Sequence, residues 1–263
     1  KAYLIMGFKG NWHKLKSILG LSLSLAKANF KVRNEGSYLG ILWYLLNPIL
    51  MFILLFFIFY DRIGTSIPKY PLYLFLGIIM FNFFQNTTSE ATKAIEDYKS
   101  IIKSINFPKE ALIGGIVLRG LFSHFFEILL FFIIALFFEV SFLNIFYYLV
   151  ILFFITIFVF GISLIFSAIS VYFADFENIW IFASRILWFL TPIFYTIEGQ
   201  NRLFYLNLLN PMFYFITASR DTIIYSKMPE PWIFLGIIFF ALFFLLIGIT
   251  FFNKLKIKFA ERI

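Results

Sequence analysis

The sequence contains no cysteine, only two histidines and no recognisable catalytic motif, and each absence excludes a class of function. Without cysteine there are no disulfides, thiolate nucleophiles or thiolate metal ligands. His13 and His124 are too far apart in sequence to suggest a metal centre. No phosphate loop of the form G-x-x-x-x-G-K-[ST] occurs, and neither does G-x-S-x-G or H-E-x-x-H. We therefore expect no metal, no cofactor and no catalytic centre in this chain, which predicts that it is not an enzyme.

Apolar residues, by contrast, are abundant. They make up 62% of the 263 residues, including 41 Phe, whereas a soluble domain has about 45–50%. The mean hydropathy is +0.91. The apolar runs are continuous over about 20 residues, which is typical of membrane-spanning helices and unlike the alternating pattern of a β-barrel. The sequence therefore predicts an all-α integral membrane protein.

Six of these runs are long enough to span a bilayer. We predict a single transmembrane domain over residues 1–263, with spans at 38–60, 72–88, 109–138, 143–171, 179–195 and 232–252. Fifteen Lys and Arg residues lie on one side of these spans and five on the other. Because basic residues accumulate on the cytoplasmic side, this bias places both termini in the cytoplasm. The net charge of +8 then faces the anionic inner leaflet, and we expect no nucleic-acid partner.

Three segments outside the spans have patterns of their own. Residues 9–32 are predicted to form a basic amphipathic helix lying in the membrane interface. Residues 89–105 are amphipathic with mixed charges, which is compatible with a surface for a soluble partner or with a solvated connector. Residues 196–231 are apolar but interrupted by Asn210-Pro211, so each half is too short to cross the membrane. The apolar stretch is Leu203–Ser219, and its interruption favours a re-entrant or interfacial hairpin over residues 196–231 that acts as a gate, with a loop lying among the headgroups as the alternative.

Three charged residues fall within the predicted spans: Arg119, Glu127 and Arg185. A charge at a helix centre costs about 2.5–3.5 kcal/mol on insertion scales, so such residues usually face water or other protein groups. They are compatible with the lining of a transport path. They are equally compatible with an ion pair, between Arg119 and Glu127 or between Arg119 and another span, that only fixes helix packing.

Aromatic and polar residues form two stripes at helical spacing, one on the first span and one on the fifth. Such stripes can stack on sugar rings and donate hydrogen bonds to them, and they can equally form interfacial belts. The candidate lining residues are Tyr38, Phe52, Phe56 and Phe59 on the first span, and Trp180, Ser184, Trp188 and Tyr195 on the fifth.

Five segments in the same order resemble the membrane permease subunits of ABC-type polysaccharide exporters, a family that exports O-antigens, capsules or teichoic acids. They are Gly36–Pro48, Ile105–Glu110, Tyr172–Asn178, Thr191–Tyr195, and Leu209–Met212 with its continuation to Arg220. The resemblance covers nearly the whole chain. It implies a homodimer in the cytoplasmic (inner) membrane that binds two copies of a separate ATPase. ATP and Mg²⁺ would be bound by that ATPase, and the cargo would be a lipid-linked polysaccharide that moves through a channel along the dimer axis.

The resemblance also assigns roles to two of the segments. It implies that residues 89–105 form the helix that couples to the ATPase, through Glu90, Lys93, Glu96, Asp97 and Lys103. It implies that the hairpin forms the outer gate, with Asn210, Pro211 and Arg220 as its candidate residues. We expect O-antigen as the cargo. Teichoic acid, drugs or small lipids are alternative cargoes, and a channel or scaffold without a transport cycle is a further alternative.

Overall fold

The computed structural model describes residues 16–28, 42–140, 144–197 and 199–262, and in these ranges every regular element is helical. Residues 16–28 form helix α1. The other helices are α2 (Leu42–Phe59), α3 (Tyr70–Asp97), α4 (Lys99–Ser104), α5 (Glu110–Ala135), α6 (Ile145–Tyr172), α7 (Phe176–Leu190), α8 (Asn201–Leu208), α9 (Pro211–Ile223), α10 (Pro231–Leu255) and α11 (Phe259–Arg262).

Three helical stretches in the described ranges are both long enough and apolar enough to cross a membrane. They are Glu110–Phe138, Ile145–Tyr172 and Pro231–Lys258. A fourth apolar helix, Leu45–Phe59, is shorter and lies within α2, where Pro48 interrupts the first turns. The prediction of an all-α membrane protein is confirmed.

Helix α3 lies at the centre of the bundle. It contacts α2, α5, α6, α7 and α9, and its residues from Leu72 to Phe81 are all buried. The lipid-facing shell is built by other helices, such as α6 and α10. These two approach so closely that a Cβ on Gly248 would meet the backbone of Gly161. Small residues permit such close approach of two helices in a membrane.

The predicted boundary between a span at 72–88 and a separate helix at 89–105 is wrong. Helix α3 continues without a break to Asp97, because Ala91, Ala94 and Ile95 extend its buried face and residues 89–97 contain no glycine or proline. The break comes at Tyr98, with φ −102° and ψ 15°, and only the short α4 follows. One rigid helix of 28 residues, about 42 Å long, therefore joins the two ends of the bundle.

The predicted fifth span, 179–195, also has different ends. Helix α7 begins at Phe176 and stops at Leu190, because Pro192 disfavours a helical conformation at Thr191, whose ψ is 133°. Its 15 residues measure about 22 Å, which is less than the thickness of the hydrocarbon core. Residues 191–197 continue the chain without regular structure.

The predicted hairpin at 196–231 contains α8 and α9. Ten of the thirteen residues of α9 are buried, and the helix packs between α3, α6 and α10. The ring of Phe215 on α9 lies 5.3 Å from that of Phe158, thirteen residues into α6. Helix α9 is thus an inserted helix and not a loop on the surface of the bundle.

Candidate functional site

The non-helical segment 191–197 lies against α3 and α9, and its backbone carbonyls are hydrogen-bonded by side chains. Tyr70 donates to the carbonyl of Phe194 at 3.1 Å, and Tyr73 donates to that of Tyr195 at 2.7 Å. Both tyrosines belong to the first turn of α3. A backbone without helical hydrogen bonds is tolerated at membrane depth only where other protein groups satisfy it, and here α3 supplies them.

Arg220 of α9 donates to two further carbonyls of this segment and to one carbonyl of α3. Its Nη1 donates to Pro192 O at 2.7 Å, its Nη2 donates to Ile193 O at 2.8 Å, and its Nε and Nη2 both donate to Tyr73 O. The guanidinium also lies 3.4 Å from the ring centroid of Tyr73. The side chain is 3% exposed, and no carboxylate in the described ranges forms an ion pair with it. Arg220, Tyr70, Tyr73 and the carbonyls of residues 192–195 form what we call the Arg220 cradle, and this end of the bundle is the cradle end.

The start of α9 is fixed to the same segment. Asn210 caps α9 by accepting a hydrogen bond from the Met212 backbone, and its Nδ2 donates to Thr191 Oγ1 at 2.8 Å. Pro211 occupies the first helical position, where its missing N–H and fixed φ are favourable. Two of the three candidate gate residues, Asn210 and Arg220, therefore hold α9 to the segment that follows α7, and Pro211 starts the helix between them.

The opposite end of the bundle, where α3 ends and α5 begins, is joined by ion pairs between side chains. Arg119 of α5 pairs with Glu90 of α3. Lys93 of α3 pairs with Glu177 at the start of α7, with an Nζ–Oε1 distance of 2.7 Å, and the hydrogen bond to Glu177 raises the pKa of Lys93. We call this the charged end. Of the predicted coupling residues, Glu90 and Lys93 thus make contacts inside the chain.

The other three predicted coupling residues, Glu96, Asp97 and Lys103, are exposed around the break between α3 and α4. Partial burial raises the pKa of Asp97, while nearby Lys93 opposes the shift. Asp97, Glu90, Lys93 and Arg119 line a polar pocket of about 410 Å³. The charged end therefore presents both a pocket and free charges to a partner.

The depth of the Glu90–Arg119 pair follows from helix geometry. Glu90 lies twenty residues after Tyr70 on α3, and Arg119 lies nineteen residues before Phe138. At 1.5 Å per residue both distances are about 30 Å, which is the thickness of the hydrocarbon core. A hydrocarbon layer that begins at Tyr70 and Phe138 would therefore end near this pair, and Arg119 would then lie at its edge, where a charge is easier to accommodate.

Arg119 and Glu127 do not pair with each other, because eight residues on one helix separate them by about 12 Å. Glu127 instead contacts His124, with a distance of 3.1 Å between Oε2 and Nδ1. The other ring nitrogen of His124 lies 3.1 Å from the hydroxyl of Tyr148 on α6. Of the two ion pairs expected for Arg119, one with Glu127 and one with another span, the structure shows the second, with Glu90 of α3. The partner of Glu127 was missed, although His124 stands three residues before it on the same helix face.

The two aromatic stripes face the inside of the chain and meet at one residue. Phe59 stacks on Phe194 at 4.7 Å, and Trp188 stacks on the same ring at 5.6 Å. Phe52 packs edge-on against Phe75 of α3, at a centroid distance of 5.4 Å. Tyr38 lies outside the described residues.

The other members of the α7 stripe are hydrogen-bonded within the chain. Trp180 Nε1 donates to Thr88 Oγ1 at 3.1 Å, and Ser184 Oγ accepts from Gln85 Nε2 at 3.0 Å. Tyr195 donates to the carbonyl of Leu190 at 2.7 Å. In this conformation the stripe packs against α3, so these residues line a path only if α3 and α7 separate.

The opposite face of α7 is exposed, and only its Arg185 was singled out from the sequence. It carries Phe182, Ile186 and Phe189, each more than half exposed, together with Arg185. Arg185 forms no ion pair with any described residue. Phe182 and Phe189 lie three residues before and four residues after Arg185, so the sequence already places them on its face of the helix. A lone arginine among apolar residues in a span indicates that this face contacts water or another protein surface.

The family follows from comparison with known proteins. The sequence profile of the ABC-2 type transporter family matches residues 21–224, which is most of the chain. The chain belongs to this family. As the membrane subunit of an ABC-2 transporter it is a permease that works with a separate ATPase and is not itself catalytic. The expectation of a transport subunit is confirmed.

Individual relatives are similar over nearly their full length. The O-antigen export system permease protein RfbA of Myxococcus xanthus is 24% identical over 248 residues, which cover 93% of this chain and 95% of that protein. The O-antigen export system permease protein RfbA of Klebsiella pneumoniae is 26% identical over 255 residues, which cover 95% and 97%.

Proposed function

We propose that this permease exports a lipid-linked polysaccharide of the O-antigen class across the cytoplasmic membrane, driven by ATP hydrolysis in its partner. The observation that carries the proposal is the near full-length similarity to two O-antigen export permeases. The five sequence segments that resemble polysaccharide exporters support it, because they include both the cradle segment around Thr191–Tyr195 and the start of α9.

The proposed topology has six spans, formed by α2, α3, α5, α6, α7 and α10, with α8 and α9 as a re-entrant hairpin. The excess of basic residues at the termini and beside α4 supports a cytoplasmic location for both termini and for the charged end. The cradle end then faces outward. Helix α7 is short for a span, but the cradle segment that follows it adds length while its carbonyls stay satisfied.

The proposed assembly is a homodimer with two copies of the ATPase. The exposed face of α7 supports it, because Arg185 at that depth has no ion-pair partner in the described part of its own chain. An unpaired arginine facing lipid would cost about 2.5–3.5 kcal/mol, which a wet path or a second copy would remove. We therefore place Phe182, Arg185 and Phe189 on the path or on the contact between the two copies.

The proposed coupling runs along α3. The ATPase would bind near Glu96, Asp97 and Lys103, at the cytoplasmic end of this helix. Because α3 is continuous, a displacement of Asp97 moves Tyr70 and Tyr73 as well. Those tyrosines hold segment 191–197, and Arg220 in turn holds α9. The same helix therefore connects the ATPase site with the gate, without any intermediate hinge among residues 70–97.

Complementation tests the proposed cargo. The chain would be expressed with its partner ATPase in strains that lack the permease for O-antigen, teichoic acid or capsule, and surface polymer would be stained for each. The proposal expects restored O-antigen display. Restoration of teichoic acid alone would change the cargo class, and resistance to small apolar drugs without any surface polymer would show a small-molecule exporter.

A further inference from the structure

An apolar groove of about 1070 Å³ runs along the outside of the bundle between α1, α5 and α6. Its walls include Leu23 of α1, Phe125, Leu129 and Ile133 of α5, and Leu149 of α6. It extends along α5 from Leu118 to Leu136, eighteen residues or about 27 Å, which is close to the full hydrocarbon thickness. The groove is thus as long as the lipid layer around it.

The charge in the groove is confined to one end. Lys27 of α1 and Arg119 of α5 line this end, which coincides with the edge of the hydrocarbon derived from the Glu90–Arg119 pair. The remaining polar lining, His124 and Tyr148, is engaged in its own hydrogen bond. An anionic lipid has a negatively charged headgroup at the hydrocarbon edge and apolar acyl chains below it. The two cations at one end of the groove and the apolar residues along the rest match this arrangement.

Arg119 also has an unused donor. One of its Nη atoms is taken by Glu90, but its buried Nε has no hydrogen-bond acceptor in the described part of the chain. A buried donor without an acceptor is unfavourable, because it has lost its hydrogen bond to water. This Nε has almost no accessible surface, so a phosphate oxygen would accept its hydrogen bond only after the Arg119 side chain turns toward the groove; Arg is well suited to bind phosphate.

The wall of the groove is built by tight packing of α1 on α5. Ser22 Oγ donates to Ala111 O at 3.1 Å, and a Cβ on Gly115 would lie 3.0 Å from that of Leu25. The groove itself has the opposite character, because its walls are Leu, Ile and Phe. Helices in a membrane associate through small residues that permit close approach. The groove therefore fits flexible acyl chains better than it fits the helix of a second copy.

We propose that this groove binds an anionic phospholipid of the cytoplasmic leaflet, with its phosphate beside Lys27 and Arg119 and an acyl chain along α5. The lipid would bridge α1 to α5 and α6. It would also place a negative charge beside the arginine that holds Glu90 of α3. The proposal does not depend on the identity of the exported cargo.

Native mass spectrometry of the full chain with its partner ATPase tests the proposal. The complex in detergent is titrated with phosphatidylglycerol and, separately, with phosphatidylcholine of the same acyl chains. We expect saturable binding of phosphatidylglycerol at about one molecule per chain, and weaker binding of phosphatidylcholine. Lys27→Gln should weaken phosphatidylglycerol about fivefold, from the roughly 1 kcal/mol that one basic residue contributes near an anionic lipid.

Two matched pairs of variants separate the groove from general effects. Lys16→Gln removes a charge from the same face of α1 three turns away, and it should leave binding unchanged. Leu129→Trp fills the groove without changing any charge and should lower the binding of both lipids, whereas Phe146→Trp on the exposed part of α6 should not. Equal binding of the two phospholipids, or equal losses from Lys16→Gln and Lys27→Gln, would overturn the proposal. Displacement of phosphatidylglycerol by a polyprenyl phosphate at equimolar amounts would also overturn it, because the groove would then belong to the cargo's lipid.

Discussion

The cradle end and the charged end of the bundle are held together by different kinds of contact. At the cradle end, buried side chains donate to backbone carbonyls, and Arg220 alone reaches three of them. At the charged end, carboxylates and basic groups pair with each other, and the Lys93–Glu177 pair is partly exposed, with 52% and 33% of the two side chains accessible. Both ends are attached to the same helix, α3.

The difference in contact type implies a difference in mobility. Breaking a buried charge away from its acceptors costs about 3–5 kcal/mol, because the carbonyls and the guanidinium are left without partners. The exposed Lys93–Glu177 pair contributes only about 0–1 kcal/mol and can exchange one partner for another, whereas the Glu90–Arg119 pair is less accessible, at 31% and 14% of the two side chains. We therefore expect the cradle to move as one body with α3, while the charged end rearranges when the ATPase changes shape.

The largest effect should come from removing the cradle's cation. Arg220→Leu removes the guanidinium that donates to the carbonyls of Tyr73, Pro192 and Ile193, and it should lower the free energy of unfolding by about 3–5 kcal/mol. For a chain of this size that corresponds to a loss of roughly 10 °C in melting temperature. Thermal unfolding of the purified complex measures it. Arg202→Leu, on the exposed face of α8, is the control and should shift the melting temperature by little.

The two faces of α7 should respond differently to truncation. Trp188 is 8% exposed, so Trp188→Ala should lower the free energy of unfolding by about 3 kcal/mol through loss of packing. Phe182 is 66% exposed, and Phe182→Ala should leave stability within about 0.5 kcal/mol while polymer export falls. Thermal unfolding and surface staining are measured on both variants. Normal export in a stable Phe182→Ala protein would remove the exposed face from the path.

A smaller effect is expected where α3 approaches the guanidinium. A Cβ on Gly77 would lie 2.5 Å from Arg220 Nη2 and 3.2 Å from Ile193 O, so Gly77→Ala must push the cradle apart. We expect a loss of about 1–3 kcal/mol. Gly20→Ala is the comparison, because nothing lies within 4 Å of a Cβ there and helix propensity alone should stabilise it slightly. A destabilisation of equal size in both variants would contradict the account.

The smallest effect on stability, but a clear effect on function, is expected at the charged end. Reversing Glu96 and Asp97 to Lys should change the free energy of unfolding by no more than about 0.5 kcal/mol, because both side chains are exposed. Binding of the ATPase in a pull-down and polymer export should both decrease. Asp61→Lys reverses a charge just after the last residue of α2, at the cradle end of the bundle, and it should change neither ATPase binding nor polymer export. Normal ATPase binding and export in the Glu96 and Asp97 variant would remove these residues from the coupling surface.

Much of this arrangement could be predicted from the sequence, since long apolar runs, the Asn210-Pro211 break and the mixed charges of residues 89–105 are local patterns. What the sequence could not show is which partner each polar residue takes. The sequence pattern places Arg220 among the basic residues on the outer side of the spans. In the structure its side chain is buried and donates to the carbonyls of residues 73, 192 and 193. These contacts join Arg220 to residues 27, 28 and 147 positions away, and no local periodicity encodes them.

For the α7 stripe, too, the sequence does not show what the side chains contact. Trp180, Ser184 and Trp188 do share one face, as their spacing predicts, but periodicity does not indicate whether that face meets a path or another helix. Here it meets α3. The continuity of α3 through Asp97 was missed because the polar residues after Thr88 resemble the end of a span. Ala91, Ala94 and Ile95 nevertheless keep one face of the helix buried.

The absence of cysteine makes the central claim directly measurable, because cysteine pairs can be introduced for spin labelling without removing any native thiol. One pair, Ser100→Cys with Asn178→Cys, spans the charged end at exposed positions outside the proposed coupling residues, and another, Thr65→Cys with Lys227→Cys, spans the cradle end. Distances between labels would be measured by pulsed electron paramagnetic resonance, with labelled chain diluted in unlabelled chain and the ATPase either empty or trapped with ATP. The account predicts a change of about 2–5 Å at the charged end and none beyond about 1 Å at the cradle end. A cradle-end distance that changes while the charged end stays fixed would contradict it.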